Sequence, residues 1–65
     1  MRLRLSDPSS ARRLAAFLRS VGVETTAPAP GVLVPDGAVD TAELAIYLRV
    51  WSVLHPELPA QMEED

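Results

Sequence analysis

"MRLRLSDPSSARRLAAFLRSVG", residues 1–22, changes its apolar period partway along. Over "MRLRL" the period is two. Met1, Leu3 and Leu5 share one face and Arg2 and Arg4 the other, the pattern of a strand buried on one side. Farther on the spacing becomes three to four. Ala11, Leu14, Ala15, Phe17, Leu18 and Val21 gather on one side of a helix, while Arg12, Arg13, Arg19 and Ser20 lie away from it. Between the two, "SDPSS" offers Ser6 or Asp7 as helix cap, and Pro8 for the first helical position, where a missing N–H costs nothing. Gly22 is a stop signal, because glycine takes the left-handed conformation at a helix end. A strand and a helix that each bury one face must cover each other, so this half reads as one layer pair of an α+β domain.

Working outward, "VETTA" (residues 23–27) has strand composition, with Val23 and Thr25 on one face and Glu24 and Thr26 on the other. "PAPG" (28–31) breaks it, and "VLVP" (32–35) is a second short strand, so the pair predicts an antiparallel hairpin. "DGAVD" (36–40) leads into a second helix. Asp40 and Glu43 have the spacing of a capping box, with Asp as the cap. This helix runs from Thr41 to Leu54. His55 sits where a cation complements the helix dipole, and Pro56 forbids continuation. The tail from residue 57 is acidic. Residues 58–62 suit a short edge strand, to which Pro59 is confined, and the last three acids read as a fraying end. The order is β-α-β-β-α, with a further β where the tail pairs. It predicts a single domain over residues 1–65, ferredoxin-like or a truncated version, with both helices on one face of an antiparallel sheet.

The second helix is wider in its apolar arc than the first. On a helical wheel Leu44, Tyr47, Leu48, Trp51 and Leu54 form one stripe, and Ile46, Val50 and Val53 form another more than a third of a turn away. Only Ala42, Ala45, Arg49 and Ser52 remain as a small-or-polar strip. One sheet face covers an arc of roughly 100° or a little more. Three placements follow for the surplus. Ile46, Val50 and Val53 pack on the first helix, or they stay outside and bury against another chain, or a ligand pocket opens between the second helix and the sheet.

Composition narrows the chemistry. The chain has 65 residues, no cysteine, one histidine and a net charge of −3. A domain this short is marginal as a monomer and needs a staple or a partner. Without cysteine, disulfides and thiolate metal sites are excluded, which leaves oligomerisation or unusually good packing. All six basic residues are arginine, so a Schiff-base lysine and a P-loop lysine are excluded too. The arginine bias, with many Ala, Val and Pro, reads as the mark of a GC-rich genome. An acidic chain whose aromatic residues, Phe17, Tyr47 and Trp51, all fall on helices lacks the stacking platform of an RNA-binding sheet, which argues against nucleic acid as partner. No apolar run resembles a signal peptide or a membrane span, and the protein is expected in the cytoplasm.

No set of catalytic residues stands out. His55 has a helix-end role, and the serines lack a neighbouring base. Asp36, Asp40 and Glu43 cluster before the second helix in the manner of hard-cation ligands, but turn and cap roles account for them. No catalytic, cofactor or metal residue is therefore assigned. The element order resembles that of the small heavy-metal-associated domain. That family carries metal on a Cys-x-x-Cys in its first loop, where this chain reads "SDPSS", so the resemblance implies topology and not metal binding. The stretches "RLSDPSSARRLAAFLRSVGV" and "LAIYLRVWSVLHP" also resemble those of small uncharacterised proteins of high-GC bacteria, which covers most of the chain and implies no activity. The expectation is a non-catalytic interaction module that forms a homodimer, or binds another protein, through Ile46, Val50 and Val53. The alternative is a small-molecule-binding regulatory domain with its pocket between the second helix and the sheet.

Overall fold

The computed structural model describes residues 1–37 and 39–63. The elements are β1 (Arg2–Leu5), α1 (Pro8–Ser20), β2 (Thr25–Ala29), β3 (Val32–Pro35), α2 (Thr41–Leu54) and β4 (Ala60–Glu63). The sheet order is β2-β3-β1-β4 with every neighbouring pair antiparallel. This is the ferredoxin-like arrangement, complete rather than truncated, because the tail supplies the fourth strand. β1 is thereby an inner strand, and the exposed edges belong to β2 and β4. Among the described residues, no helix is long and apolar enough to cross a membrane.

The alternation of β1 sets the two faces. Leu3 and Leu5 are buried and pair with Met62 and Ala60 of β4, and Leu3 also pairs with Leu33 of β3. They join Leu14 and Leu18 of α1 and Leu44, Leu48 and Trp51 of α2 in one cluster. Arg2 and Arg4 are exposed on the opposite face. There the Arg4 Nε–H donates to both oxygens of Glu63, at 3.1 and 3.2 Å, across the β1–β4 pair. Glu63 belongs to the strand rather than to a fraying end. The two final acids lie outside the described residues.

Local chemistry accounts for the ends of α1. Of the two candidate caps, Asp7 is the one used. Its carboxylate accepts the Ser10 backbone N–H at 2.7 Å, and Pro8 occupies the first position. At the other end the Gly22 N–H donates to the Arg19 carbonyl (3.1 Å) and the Val23 N–H to the Leu18 carbonyl (2.8 Å). These two bonds, with Gly22 at φ +88°, make a Schellman motif. Val23 is accordingly the buried anchor of the helix end, packed with Leu18 in the core, and not the start of a strand. Val21, placed with the inner stripe by its spacing, is the C-cap and is exposed.

The second strand therefore begins later and runs further than its composition predicts. β2 passes through Pro28 to Ala29. Thr26 pairs with Val34 and Ala29 with Val32, so residues 27 and 28 oppose Leu33 alone. That is a bulge on an edge strand, the setting in which a proline is tolerated within a sheet. The break is Pro30–Gly31 only. Gly31 has φ +76°, and a Cβ on it would stand 3.1 Å from the Leu5 carbonyl oxygen. Its own carbonyl accepts the Leu5 N–H at 2.8 Å, which ties the hairpin turn to the end of β1.

Candidate interaction surface

α2 takes the cap its sequence predicts, Asp40, without the reciprocal Glu43 bond of a capping box. The Asp40 carboxylate accepts the Ala42 backbone N–H at 3.2 Å. Glu43, three residues on, is engaged elsewhere. Its carboxylate accepts the Tyr47 hydroxyl at 2.7 Å, one turn along the helix. That bond holds the phenol proton and raises the Tyr47 pKa above its usual value. Asp40 and Glu43 thus serve as cap and side-chain acceptor. Among the described residues, no three His, Asp or Glu side chains come together as metal ligands.

The inner stripe is Leu44, Leu48 and Trp51, all buried, with Tyr47 half-buried at its border. Trp51 locks the helix at three points. Its ring lies 5.6 Å from that of Phe17 on α1 and 4.2 Å from that of His55, and its indole N–H donates to the Leu58 carbonyl at 2.9 Å. The last contact satisfies the one polar atom of a buried tryptophan and draws the chain after Pro56 back toward the sheet, where β4 begins. His55 is the C-cap, its N–H donating to the Trp51 carbonyl at 2.8 Å.

With Trp51 inward, the second stripe points away from the core. Ile46 is 62% exposed, Val50 43% and Val53 77%. None of the three joins the core cluster, whereas Phe17 of α1 and Trp51 of α2 meet within it. Leu54, grouped with the inner stripe by spacing, is also exposed, because the helix ends there and its last turn passes beyond the core. At positions i, i+4 and i+7, the stripe is a continuous apolar ridge on the outer side of the molecule. Beside it lies Arg49, which has no ion-pair partner among the described residues.

Leu44, Leu48 and Trp51 of α2 lie in one core cluster with Leu3, Leu5 and Leu33 of the sheet. An apolar concavity of about 300 Å³ lies instead on the other helix, between α1 and the β2–β3 hairpin. Nothing in the linear pattern of α1 signals it, because it is made by residues some fifteen positions apart that meet only in the fold. No family model, curated protein or solved structure matches this chain.

Proposed function

We propose that the protein is a non-catalytic interaction module, and that its partner across the outer face of α2 is a second copy of the chain. The observation that carries this reading is the solvent-facing ridge of Ile46, Val50 and Val53, directly opposite a complete inner stripe on the same helix. A solvated helix face of a monomer is normally polar, and contiguous exposed apolar surface marks contact with another molecule. Two further features favour a second copy. The chain has no cysteine for a covalent staple, so association is one source of added stability open to it, beside close packing. A ridge along one straight helix is also self-complementary about a twofold axis, where the same residues meet each other.

The test is sedimentation equilibrium on the wild-type chain and on Val50→Glu. The wild type is expected to be a dimer at micromolar concentration and the variant a monomer. A carboxylate at the middle of the ridge would be buried unpaired on association, at a cost of roughly 3–5 kcal/mol. Because Val50 is already substantially exposed in the single chain, the variant monomer should keep its far-ultraviolet circular dichroism. A wild type that stays monomeric at high micromolar concentration overturns the homodimer.

A further inference from the structure

We propose that the concavity between α1 and the β2–β3 hairpin binds a small amphipathic carboxylate, its apolar body inside and its carboxylate on Arg12. This does not rest on self-association, because the concavity shares no residue with the outer face of α2.

The space exists because both walls are built from small side chains. α1 presents Ala11 and Ala15, and β2 presents Ala27 and Ala29, over a floor that includes Leu33. The bulge at residues 27 and 28 interrupts the regular ladder with β3 at the same place. The volume of about 300 Å³ is at the lower end for ligand pockets, which typically combine apolar walls with a few polar groups. Here the polar side chains are Arg12, Thr25 and Thr26.

The charge pattern selects the ligand. The chain has nine acidic residues and a net charge of −3, yet among the described residues no Asp or Glu lines this concavity. Arg12 stands at it without an ion-pair partner among the described residues, whereas Arg4 and Arg19 have theirs in Glu63 and Glu24. A guanidinium free of carboxylates beside an apolar hollow fits a carboxylate ligand, which it can hold through two parallel N–H donors. The occupant is not an added strand. Pro28 and the bulge deprive the β2 edge of a regular row of donors. At water-like packing of ~30 Å³ per heavy atom the hollow holds about ten, the size of a short-chain acid.

Sodium hexanoate is the probe, titrated to about 20 mM into the ¹⁵N-labelled full-length chain, since a ligand this small binds with a Kd on the order of 1 mM. Saturable shifts are expected at the amides of Ala11, Ala15, Thr25, Thr26, Ala27 and Ala29. Arg12→Gln, at an exposed position that leaves the core intact, should weaken hexanoate at least ~tenfold, the factor that losing a charge-assisted bond implies. Hexanol should bind wild type and Arg12→Gln alike. Ala15→Met should abolish the shifts by filling the hollow. The proposal is overturned if no saturable shift appears, if Arg12→Gln binds hexanoate as the wild type does, or if the shifts map to Ile46, Val50 and Val53, which would make the probe a reporter of exposed apolar surface alone.

Discussion

The two helices lie on the same sheet and solve different problems. α1 buries one narrow stripe, Ala11, Leu14 and Leu18, and turns Arg12, Arg13 and Arg19 to solvent. Its ends are closed by side chain and backbone alike, with Asp7 at one end and Gly22 at the other. α2 buries a comparable stripe but leaves a second apolar ridge outside. Its first turn is capped, and its last is held by the Trp51–Leu58 and His55 contacts rather than by a glycine. Amphipathicity of the ordinary kind therefore says where α1 belongs. In α2 the surplus apolar surface exceeds what the chain itself covers, and that surplus is the molecule's main functional lead.

The sharpest way to break this comparison is to truncate one residue from each kind of stripe. Leu18, fully buried, should cost roughly 2–5 kcal/mol as Leu18→Ala, from lost transfer energy and the cavity left behind. That is a large share of the ~5–15 kcal/mol that holds a typical domain. Ile46→Ala, measured in the Val50→Glu background so that association does not contribute, should change stability by about 0.5 kcal/mol or less, as exposed sites do. Urea unfolding of both variants decides the matter. Comparable losses at the two positions would mean that the outer ridge is part of the single-chain core.

How far each helix was legible in the sequence follows from the same contrast. The caps at Asp7 and Asp40, the burial of Leu3, Leu14, Leu18, Leu44 and Trp51, and the exposure of Arg2 and Arg4 depend on near neighbours and on period, which a linear reading contains. What the second apolar stripe of α2, Ile46, Val50 and Val53, meets does not. The helical period assigns residues to stripes but is silent on what each stripe meets; the answer came from Trp51, whose ring packs on Phe17 and whose indole N–H needs the Leu58 carbonyl. The limits of β2 differ from those its composition predicts for a related reason. Val23 looks like a strand residue locally, but the Schellman motif claims it as a helix anchor. Pro28 looks like a breaker, but an edge bulge accommodates it. The hollow beside α1 was invisible, since alanines spaced along a helix report small size and not what stands opposite.

A smaller effect sharpens the contrast between the helix ends. Gly22 has open space where a Cβ would go, so only its positive φ resists substitution. Gly22→Ala should therefore cost about 1–2 kcal/mol, the penalty of the left-handed conformation for an L-residue. Thermal or urea melts of Gly22→Ala and of Gly37→Ala, where no positive φ is imposed and the added Cβ also meets nothing within 4 Å, should differ by that amount. Equal melts would mean that the Schellman end is not what holds Val23 and Leu18 together.

The smallest expected effect lies at the opposite end of α1 and is a matter of pH. The Ser10 backbone N–H that Asp7 accepts favours the ionised carboxyl and lowers its pKa below the usual value. A carboxyl whose pKa is lower folded than unfolded stabilises the fold above its unfolded pKa. That contribution fades as pH falls through the unfolded range and is gone below the folded value. Asp7→Asn keeps an oxygen to accept the Ser10 N–H, and asparagine is as good a cap as aspartate, but it cannot titrate. Near neutral pH the two proteins should melt close together, with the wild type slightly higher because a charge at the helix N-terminus favours it. As pH is lowered through the carboxyl range the wild type should lose this advantage, so that the gap in Tm closes or reverses at the acid end. Because other carboxyls titrate in both proteins, the informative quantity is the difference between the two Tm profiles. A difference that stays constant from neutral to acid pH would show that the Asp7 cap acts through hydrogen-bond geometry alone.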